Sequence, residues 1–262
     1  MPLWELGVGG WELTNVIPVD LLAFGPHPDD IEIGLAGTVA VHTARGDRVG
    51  LCDLTRGELG SNGTPDERER EAEDARQVLG AAWRVNLRWP DGGIVGSDAQ
   101  IADVVRLVRQ CRPRTVALPY RDDRHPDHRA ASEVLRRAVF RSGLRRFAVD
   151  GAPDGDAWKP EWICYYFIND SAPVSFAVDV SAHYQRKRDA LGCHRSQFVR
   201  GEPASVETRL TSPRFLQMIE SRDAHLGALT GVEFAEGIVL KEPLLRETLF
   251  RGAGALPPGP RP

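Results

Sequence analysis

The chain has 262 residues, 42% of them hydrophobic, which is enough for one α/β domain with a full core. Its formal net charge of −4 and its pI near 6.0 argue against nucleic acid as a partner. The sequence contains neither a signal-peptide pattern nor an apolar run of about 18 residues, so we expect a soluble, cytoplasmic protein without membrane contact. The expected partner is a small molecule.

Apolar runs and amphipathic stretches alternate from residue 19 onward. Val19–Phe24 and Arg48–Leu54 are typical of strands, and Glu32–Ala44 between them is typical of a helix. Thr64-Pro65-Asp66-Glu67 is a capping box with proline at the first helical position, which predicts a helix up to Leu79. These elements form a βαβ unit and predict a parallel sheet.

The same alternation continues to the end of the domain. Ser97 and Gln100 repeat the capping-box spacing ahead of a helix, and Thr115–Leu118 follows as a strand. The remaining elements are expected to be a helix to about 141, strands over 161–168 and 176–180, helices over 181–192 and 213–226, and a strand over 237–240. We predict a single domain over 19–245 with an α/β, Rossmann-like three-layer fold, its mostly parallel sheet flanked by helices.

Three other segments are expected to lie outside this regular pattern. Residues 1–18 are predicted to be an N-terminal extension. The Gly/Pro/Asp-rich residues 150–158 are predicted to be a flexible loop or lid, and residues 246–262 a flexible C-terminal tail.

Polar motifs follow three of the predicted strands. Pro26-His27-Pro28-Asp29-Asp30 comes after the first strand, Thr55-Arg56-Gly57-Glu58 after the second, and His125-Pro126-Asp127-His128 after the strand at 115–118. In a parallel sheet, ligands bind outside the carboxyl ends of the strands where strand order reverses. We therefore expect the three loops to meet at one mouth.

The two histidine motifs together indicate a metal site. His27 and Asp30 from one turn and His128 from a distant loop make a three-ligand set that leaves a coordination position open for water. One Zn²⁺ per chain suits these ligands, and Fe²⁺ or another divalent ion suits them too. The alternative is structural: the two aspartates as a helix N-cap and the histidines as a solvated turn.

The remaining polar residues of these motifs suit hydrolysis. Adjacent carboxylates on a tight turn diverge, so Asp29 is free to act as general base if Asp30 binds the metal. His125 is placed to donate to the developing oxyanion or to the leaving nitrogen, with Asp127 or another carboxylate orienting its ring.

From about Val19 to about Pro243 the sequence resembles the LmbE-like, or PIG-L-like, zinc-dependent N-deacetylases, which remove acetyl groups from N-acetylglucosamine conjugates. The resemblance rests on the motifs at His27–Asp30 and His125–His128. It implies the same roles as the spacing does: His27, Asp30 and His128 as zinc ligands, Asp29 as general base, His125 as the oxyanion or amine partner, and Asp127 as its support. It also implies self-association into a homo-oligomer.

A narrower resemblance is to the bacillithiol-biosynthesis branch, which hydrolyses N-acetylglucosaminyl-malate to glucosaminyl-malate and acetate. It rests on segments 53–64, 194–198 and 231–237 together with Tyr184 and Lys187. This resemblance implies an anionic conjugate as substrate. Another N-acetylated sugar or a thiol conjugate is the alternative within the enzyme class. The rival from another class is a non-catalytic sugar- or nucleotide-binding module, although the first turn lacks GxGxxG and its carboxylates would repel phosphate.

Four residues are predicted to bind substrate. Arg56 suits a carboxylate through a bidentate pair, and the alternative is a surface ion pair with Glu58 or Glu67. Asn62 is expected in a turn over the sugar, while His194 and Gln197 either line the pocket or form a satisfied polar pair. Arg121, Arg124 and Arg195 are weaker candidates for the same task as Arg56, and solvated charge is the favoured interpretation of each. The alternating stretch 68–76 is expected to form a solvated face.

Overall fold

The structure is a computed structural model that describes residues 16–149, 157–199 and 205–245. Most of the predicted extension, residues 150–156 of the predicted lid, and the predicted tail therefore lie outside the described residues. Within the described ranges, none of the helices combines the length and apolar character needed to cross a bilayer.

The strands of the described residues form a single mixed sheet. They are β1 (Leu21–Gly25), β2 (Val49–Thr55), β3 (Trp83–Trp89), β4 (Thr115–Pro119), β5 (Trp162–Tyr166), β6 (Phe176–Asp179) and β7 (Ala235–Leu240). Their order is β3-β2-β1-β4-β5-β7-β6. Strands β1 to β5 run parallel, and β7 is antiparallel to both β5 and β6. Strand order reverses between β1 and β4, which are adjacent in the sheet.

The helices alternate with the strands from β1 to β5, and three consecutive α-helices of the described residues lie between β6 and β7. In chain order, the α-helices are α1 (Asp30–Ala44), α2 (Pro65–Leu79), α3 (Asp98–Cys111), α4 (Pro126–Ser142), α5 (Tyr184–Cys193), α6 (Arg195–Phe198) and α7 (Pro213–Thr230). Both predicted capping boxes form: Thr64 begins α2 and Ser97 begins α3, each accepting from the backbone amide three residues on.

The sheet is covered on both faces. One core packs Val104, Val108 and Leu135 of α3 and α4 against the sheet, and the other packs Leu35 of α1 and Ile219 of α7 against its opposite face. Each layer alone leaves an apolar face exposed, so the sheet and its two helical layers stabilise one another. The predicted three-layer, mostly parallel α/β fold is confirmed.

Two elements were not predicted from the sequence, β3 and the short helix α6. In β3, polar residues interrupt the apolar pattern of Trp83-Arg84-Val85-Asn86-Leu87-Arg88-Trp89. The Arg84 side chain is nevertheless buried, with Nη1 2.6 Å from Glu32 Oε1 and Nε 2.7 Å from Asp53 Oδ2. Two carboxylates compensate the charge of the buried guanidinium, so the strand can contain an arginine in its interior. That arginine interrupts the apolar pattern by which a strand is recognised in the sequence.

A second buried ion-pair group, the Lys187 cluster, consists of Lys187, Asp223 and Glu236. The ammonium Nζ lies 2.7 Å from Asp223 Oδ2 and 2.7 Å from Glu236 Oε1, and all three side chains are almost fully buried. The Glu236 carboxylate also accepts from the backbone amides of Gly37 and Thr38, in the middle of α1. The cluster therefore ties α5, α7 and β7 to the helix that begins at Asp30.

Candidate metal and catalytic site

The two histidine motifs lie side by side at the carboxyl edge of the sheet. His27 and Asp30 follow β1, and His125 and His128 follow β4, the two strands between which strand order reverses. Parallel β1 and β4 both end at this edge, so their loops meet although they are distant in sequence. The two motifs therefore lie at the carboxyl ends of parallel strands where strand order reverses, as expected for a ligand site in this fold.

Three buried side chains form a group with the geometry of a metal site. Asp30 Oδ2 lies 3.1 Å from His27 Nδ1 and 3.3 Å from His128 Nε2. A second group of possible ligands, His27, His125 and Asp127, shares the first imidazole. In each group the possible ligand atoms lie within 4.8 Å of one another.

Carboxylates outside the group hold both imidazoles. His27 Nε2 lies 3.1 Å from Asp91 Oδ1 and 3.4 Å from Asp127 Oδ2. His128 Nδ1 lies 3.0 Å from Asp123 Oδ1. Metal-binding histidines usually donate their second ring nitrogen to a carboxylate in this way. The arrangement leaves His27 Nδ1 and His128 Nε2 facing Asp30, which favours the group His27, Asp30 and His128 as ligands.

The electrostatics of this group favour a positive charge. Burial alone would raise the pKa of Asp30, yet His128 and His27 lower it well below its usual range. Burial would lower the pKa of His27, but Asp127 and Asp30 raise it well above its ordinary value. Against the same effect of burial, Asp30 and Asp123 raise the pKa of His128 to about 9. The surrounding carboxylates thus attract a proton or a metal cation to the two imidazoles.

Asp29 has no capping role. It stands at the N-cap position of α1, but its side chain accepts from no backbone amide of the helix. Its φ of 126° lies in the left-handed region, which costs about 1–3 kcal/mol in a non-glycine residue. The carboxylate is buried in the wall of the cavity, and burial raises its pKa to about 6, with Arg68 acting against this effect and Asp30 adding to it. The structure therefore presents a base directed away from the helix backbone.

Arg68 corrects the expectation that stretch 68–76 is a solvated face. Arg68 is only 4% exposed, and its Nη2 lies 3.3 Å from Asp29 Oδ2. The same guanidinium donates to the carbonyl oxygens of Gly57 and Pro28. A Cβ on Gly57 would lie 1.9 Å from Arg68 Nη1, so glycine is needed there for the guanidinium to approach the loop.

His125 and Asp127 interact differently from the prediction. The His125 ring accepts at Nδ1 from the backbone amide of Asp127, at 3.2 Å, as the N-cap of α4. The Asp127 carboxylate accepts from the Gly92 amide and approaches His27 instead of supporting the His125 ring. The His125 ring is exposed and lies 4.9 Å from the His27 ring and 4.7 Å from the His128 ring, centroid to centroid.

These residues surround a cavity of about 520 Å³ that opens to solvent. Of the four residues predicted to bind substrate, only Gln197 lines it, and its Nε2 donates to the Asn62 carbonyl. Asn62 itself pairs through its side chain with both backbone groups of Val206. His194 is fully buried, with Nε2 3.3 Å from Glu32 Oε2.

Arg56 also lies away from this cavity. Its guanidinium pairs with Asp66 and with Glu69, on the side of the loop that faces α2. This resembles the surface ion pair considered as the alternative for Arg56, although with other acidic partners.

Four residues that shape the site were missed in the sequence, Arg68, Asp91, Asp123 and Arg209, and the first two have a recognisable signal. Arg68 shares the helical spacing of the buried positions 72, 75 and 79, so it belongs to the inner face of α2. Asp91 follows β3 just as Asp30 follows β1, and it was missed because β3 was not predicted. Arg209, which also lines the cavity, precedes α7 in an irregular segment without a motif.

Comparisons with known proteins agree with this geometry. A family model described as PIG-L, GlcNAc-PI de-N-acetylase, matches residues 22–139, which include both histidine motifs. A diacetylchitobiose deacetylase of Thermococcus kodakarensis is 29% identical over 231 aligned residues, covering 83% of this chain and 81% of that protein. A 1D-myo-inositol 2-acetamido-2-deoxy-alpha-D-glucopyranoside deacetylase of Acidothermus cellulolyticus is 27% identical, covering 68% and 79% respectively.

A solved structure matches more closely in sequence. The crystal structure of the conserved protein TT1542 from Thermus thermophilus superposes with a TM-score of 0.79 at 37% identity. The match covers 89% of this chain and 100% of the other. Together with the family match and the two motifs at one cavity, it shows that the chain belongs to the PIG-L, or LmbE-like, family of N-deacetylases.

Proposed function

We propose that the protein hydrolyses the N-acetyl group of an N-acetylglucosaminyl conjugate. One observation carries this proposal: the cavity brings the uncapped carboxylate of Asp29 beside the group His27, Asp30 and His128, with the exposed ring of His125 next to them. A base, a cation site and a hydrogen-bond donor at one mouth are the parts that metal-assisted amide hydrolysis needs. Membership of a deacetylase family favours this enzyme over the non-catalytic binding module.

The group His27, Asp30 and His128 fits a divalent cation. It offers a nitrogen, oxygen and nitrogen donor set, and the surplus of carboxylates around it compensates the charge of a bound ion. When bound, such a cation polarises a carbonyl group and makes water more acidic. We propose Zn²⁺ as the native ion, one per chain. Metal analysis of protein purified without added metal tests this, and His128→Ala is expected to lose the ion.

The protein's own groups account for the proton transfers. Asp29 is placed to take a proton from water, and the remaining hydroxide adds to the acetamide carbonyl carbon. Because Nδ1 of His125 accepts from an amide, the neutral ring carries its proton on Nε2 and can donate to the oxygen that gains negative charge. The C–N bond then breaks as Asp29 returns the proton to the leaving nitrogen. The products are acetate and a free amine, without a covalent intermediate.

The substrate class follows from two lines of support. The names of the two sequence relatives share an acetylated glucosamine unit and differ in what is attached to it. We propose N-acetylglucosaminyl-L-malate as the substrate, as in bacillithiol biosynthesis, on the resemblance of segments 53–64, 194–198 and 231–237 to that branch. Another N-acetylated sugar or a thiol conjugate is the alternative.

Amine release tests both levels of the proposal. Zn²⁺-loaded protein is assayed on N-acetylglucosaminyl-malate, on N-acetylglucosamine and on an inositol-linked analogue, beside the Asp29→Ala variant. Preferred turnover of the malate conjugate, lost in the variant, is the expected result. Preference for another sugar would overturn the malate assignment alone, while no release from any of them despite bound metal would overturn the proposed activity.

Self-association stays a prediction from the family resemblance. Size-exclusion chromatography with light scattering measures it directly.

A further inference from the structure

Two arginines, Arg124 and Arg209, line the outer part of the cavity. Arg124 immediately precedes His125 in the loop after β4, and Arg209 precedes α7. Both residues are exposed, and both face the same cavity as Asp29 and His125. The cavity therefore has guanidinium groups at its mouth and carboxylates at its base.

The guanidinium of Arg209 is fixed in place. Its Nη1 donates to Asn169 Oδ1 at 3.0 Å, and its Cζ lies 5.3 Å from the centre of the Phe215 ring. Asn169 in turn donates to Asp123, the carboxylate that orients His128. A chain of contacts through Asn169 and Asp123 thus connects Arg209 to His128 of the metal group. A solvated arginine would have no such contacts.

Among the described residues, neither guanidinium forms a direct ion pair, although the Asp170 carboxylate lies nearby and accepts from the backbone amide of Arg124. Other arginines do have a carboxylate partner: Arg56, Arg68 and Arg84. Partial burial and the charge of Arg124 lower the pKa of Arg209, against the opposite effect of the Asp170 and Asp123 carboxylates. Adjacent unpaired cations at a cavity mouth favour an anionic ligand.

The part of the cavity near His27 is lined by acidic side chains, in contrast to the arginines at its mouth. Asp91 and Asp127 line it near His27, and carboxylates there suit the hydroxyl donors of a sugar. Leu59, whose amide donates to Asp91, and Phe215, whose ring lies against Arg209, add apolar wall to the cavity. The cavity is therefore polarised, with one end suited to a neutral acetamido sugar and the other to an anion.

We propose that Arg124 and Arg209 together bind the carboxylate groups of the aglycone and so determine specificity for anionic conjugates. This inference rests on the proposed deacetylase function. It assigns the carboxylate-binding role expected of Arg56 to two residues that line the cavity, because Arg56 pairs with Asp66 and Glu69 outside it. Guanidinium groups suit carboxylates through paired N–H donors.

Substrate pairs that differ only in the aglycone charge test the proposal. Arg124→Gln, Arg209→Gln and the double variant are assayed on N-acetylglucosaminyl-malate and on neutral methyl N-acetylglucosaminide. The KM for the malate conjugate is expected to rise about tenfold or more in each single variant and further in the double variant, with kcat retained. The KM for the neutral glycoside is expected to stay within about twofold of the parent value.

Arg121→Gln is the matched control. Arg121 is an exposed arginine of the same loop that lies over the Tyr120 ring and does not line the cavity, so neither substrate is expected to be affected. Free L-malate added as a competitive inhibitor gives a second measurement, since its inhibition should weaken in the Arg124 and Arg209 variants alone.

The outcomes separate this inference from the function on which it rests. Equal losses on both substrates, or unchanged KM for the malate conjugate, would overturn the role of the two arginines while leaving the deacetylase intact. The same holds if the parent protein hydrolyses the neutral glycoside as well as the malate conjugate. Absence of amine release from both substrates by the parent protein would instead overturn the proposed function.

Discussion

Two groups of buried charge contact helix α1, one at its N-terminal end and one at its middle, and they differ in charge balance. In the Lys187 cluster, one ammonium and the nearby Arg222 face the two carboxylates of Asp223 and Glu236, and none of these four residues lines the cavity. At the site, the buried imidazoles of His27 and His128 and the buried guanidinium of Arg68 lie among five carboxylates: Asp29, Asp30, Asp91, Asp123 and Asp127. A balanced, closed group is what packing alone requires.

The surplus of negative charge at the site is paired with access to a cavity. A fold gains nothing from crowding carboxylates unless a cation or a substrate completes the arrangement. The contrast teaches that burial of charge by itself does not mark a functional site, whereas uncompensated charge beside a cavity does. Substitutions at the site should therefore mainly change activity, and substitutions in the Lys187 cluster should mainly change the free energy of unfolding.

The largest expected effect is on activity. Asp29→Asn is expected to lower kcat by about 10²–10⁴-fold, since it removes the proposed general base while asparagine tolerates a positive φ. Bound metal and the far-UV CD spectrum should match those of the parent. Because burial raises the pKa of Asp29, its charged form disfavours the folded state at neutral pH, so the melting temperature of the metal-free variant should not fall. Retained kcat would contradict the assignment of Asp29.

The next largest effect is on stability. Lys187→Met is expected to lower the free energy of unfolding by about 3–5 kcal/mol, because it leaves Asp223 and Glu236 buried without their shared cation. Urea unfolding measures it, with the exposed Lys159→Met as the matched control. The specific activity of the folded fraction should change far less than in Asp29→Asn. A decrease in the free energy of unfolding of less than about 1 kcal/mol would contradict a mainly stabilising role of the Lys187 cluster.

Arg68 is the buried cation that contacts Asp29, the proposed general base. Arg68→Lys keeps the charge but cannot donate at once to Asp29 and to the carbonyls of Gly57 and Pro28, so kcat is expected to fall about tenfold. Steady-state kinetics measure the change, and Arg70→Lys on the exposed face of the same helix is the control. Equal activity of the two variants would mean that Arg68 has only a packing role.

The smallest expected effect lies at a partly exposed ion pair outside both groups, Glu73 and Arg76. The hydrogen bond from Arg76 lowers the pKa of Glu73 below its ordinary value of 4.5. A lowered carboxyl pKa stabilises the fold above the ordinary value, and this contribution is lost as the pH falls through the folded pKa. Glu73→Gln should therefore cost only about 0.2–1 kcal/mol at pH 7 in urea unfolding, and the difference should shrink below about pH 4.5. A constant difference across this range would exclude the charge as its source.

How far the sequence predicts the molecule can be judged from individual residues. His27, Asp30 and His128 were predicted to meet because strand ends and the reversal of strand order are topological features with a clear apolar pattern. Asp91 escaped because the polar residues of β3 conceal that strand. Arg68 escaped because charge alternation was taken for solvation, although its position matches the buried face of α2.

The predicted substrate residues show the limit more plainly. Arg56 and Arg68 stand in similar charged sequence, yet one points toward α2 acids and the other into the cavity. Arg68 lies in a helix whose spacing indicates its buried face, whereas the side-chain direction of Arg56, in a loop, depends on the backbone turn and has no local pattern. Arg209 is another such case, since its partners Asn169 and Phe215 come from other segments.

The place of the site at the reversal of strand order also determines when the proposed cation can bind. Two of the proposed ligands follow β1, but His128 arrives only when β4 has joined the sheet beside it. During synthesis, a chain that ends before β4 offers His27 and Asp30 alone, so we expect the cation to bind only after the central strands have assembled. Retention of the ion then reports completion of the fold, and each tenfold excess of free cation over its Kd adds about 1.4 kcal/mol to the stability of the finished domain.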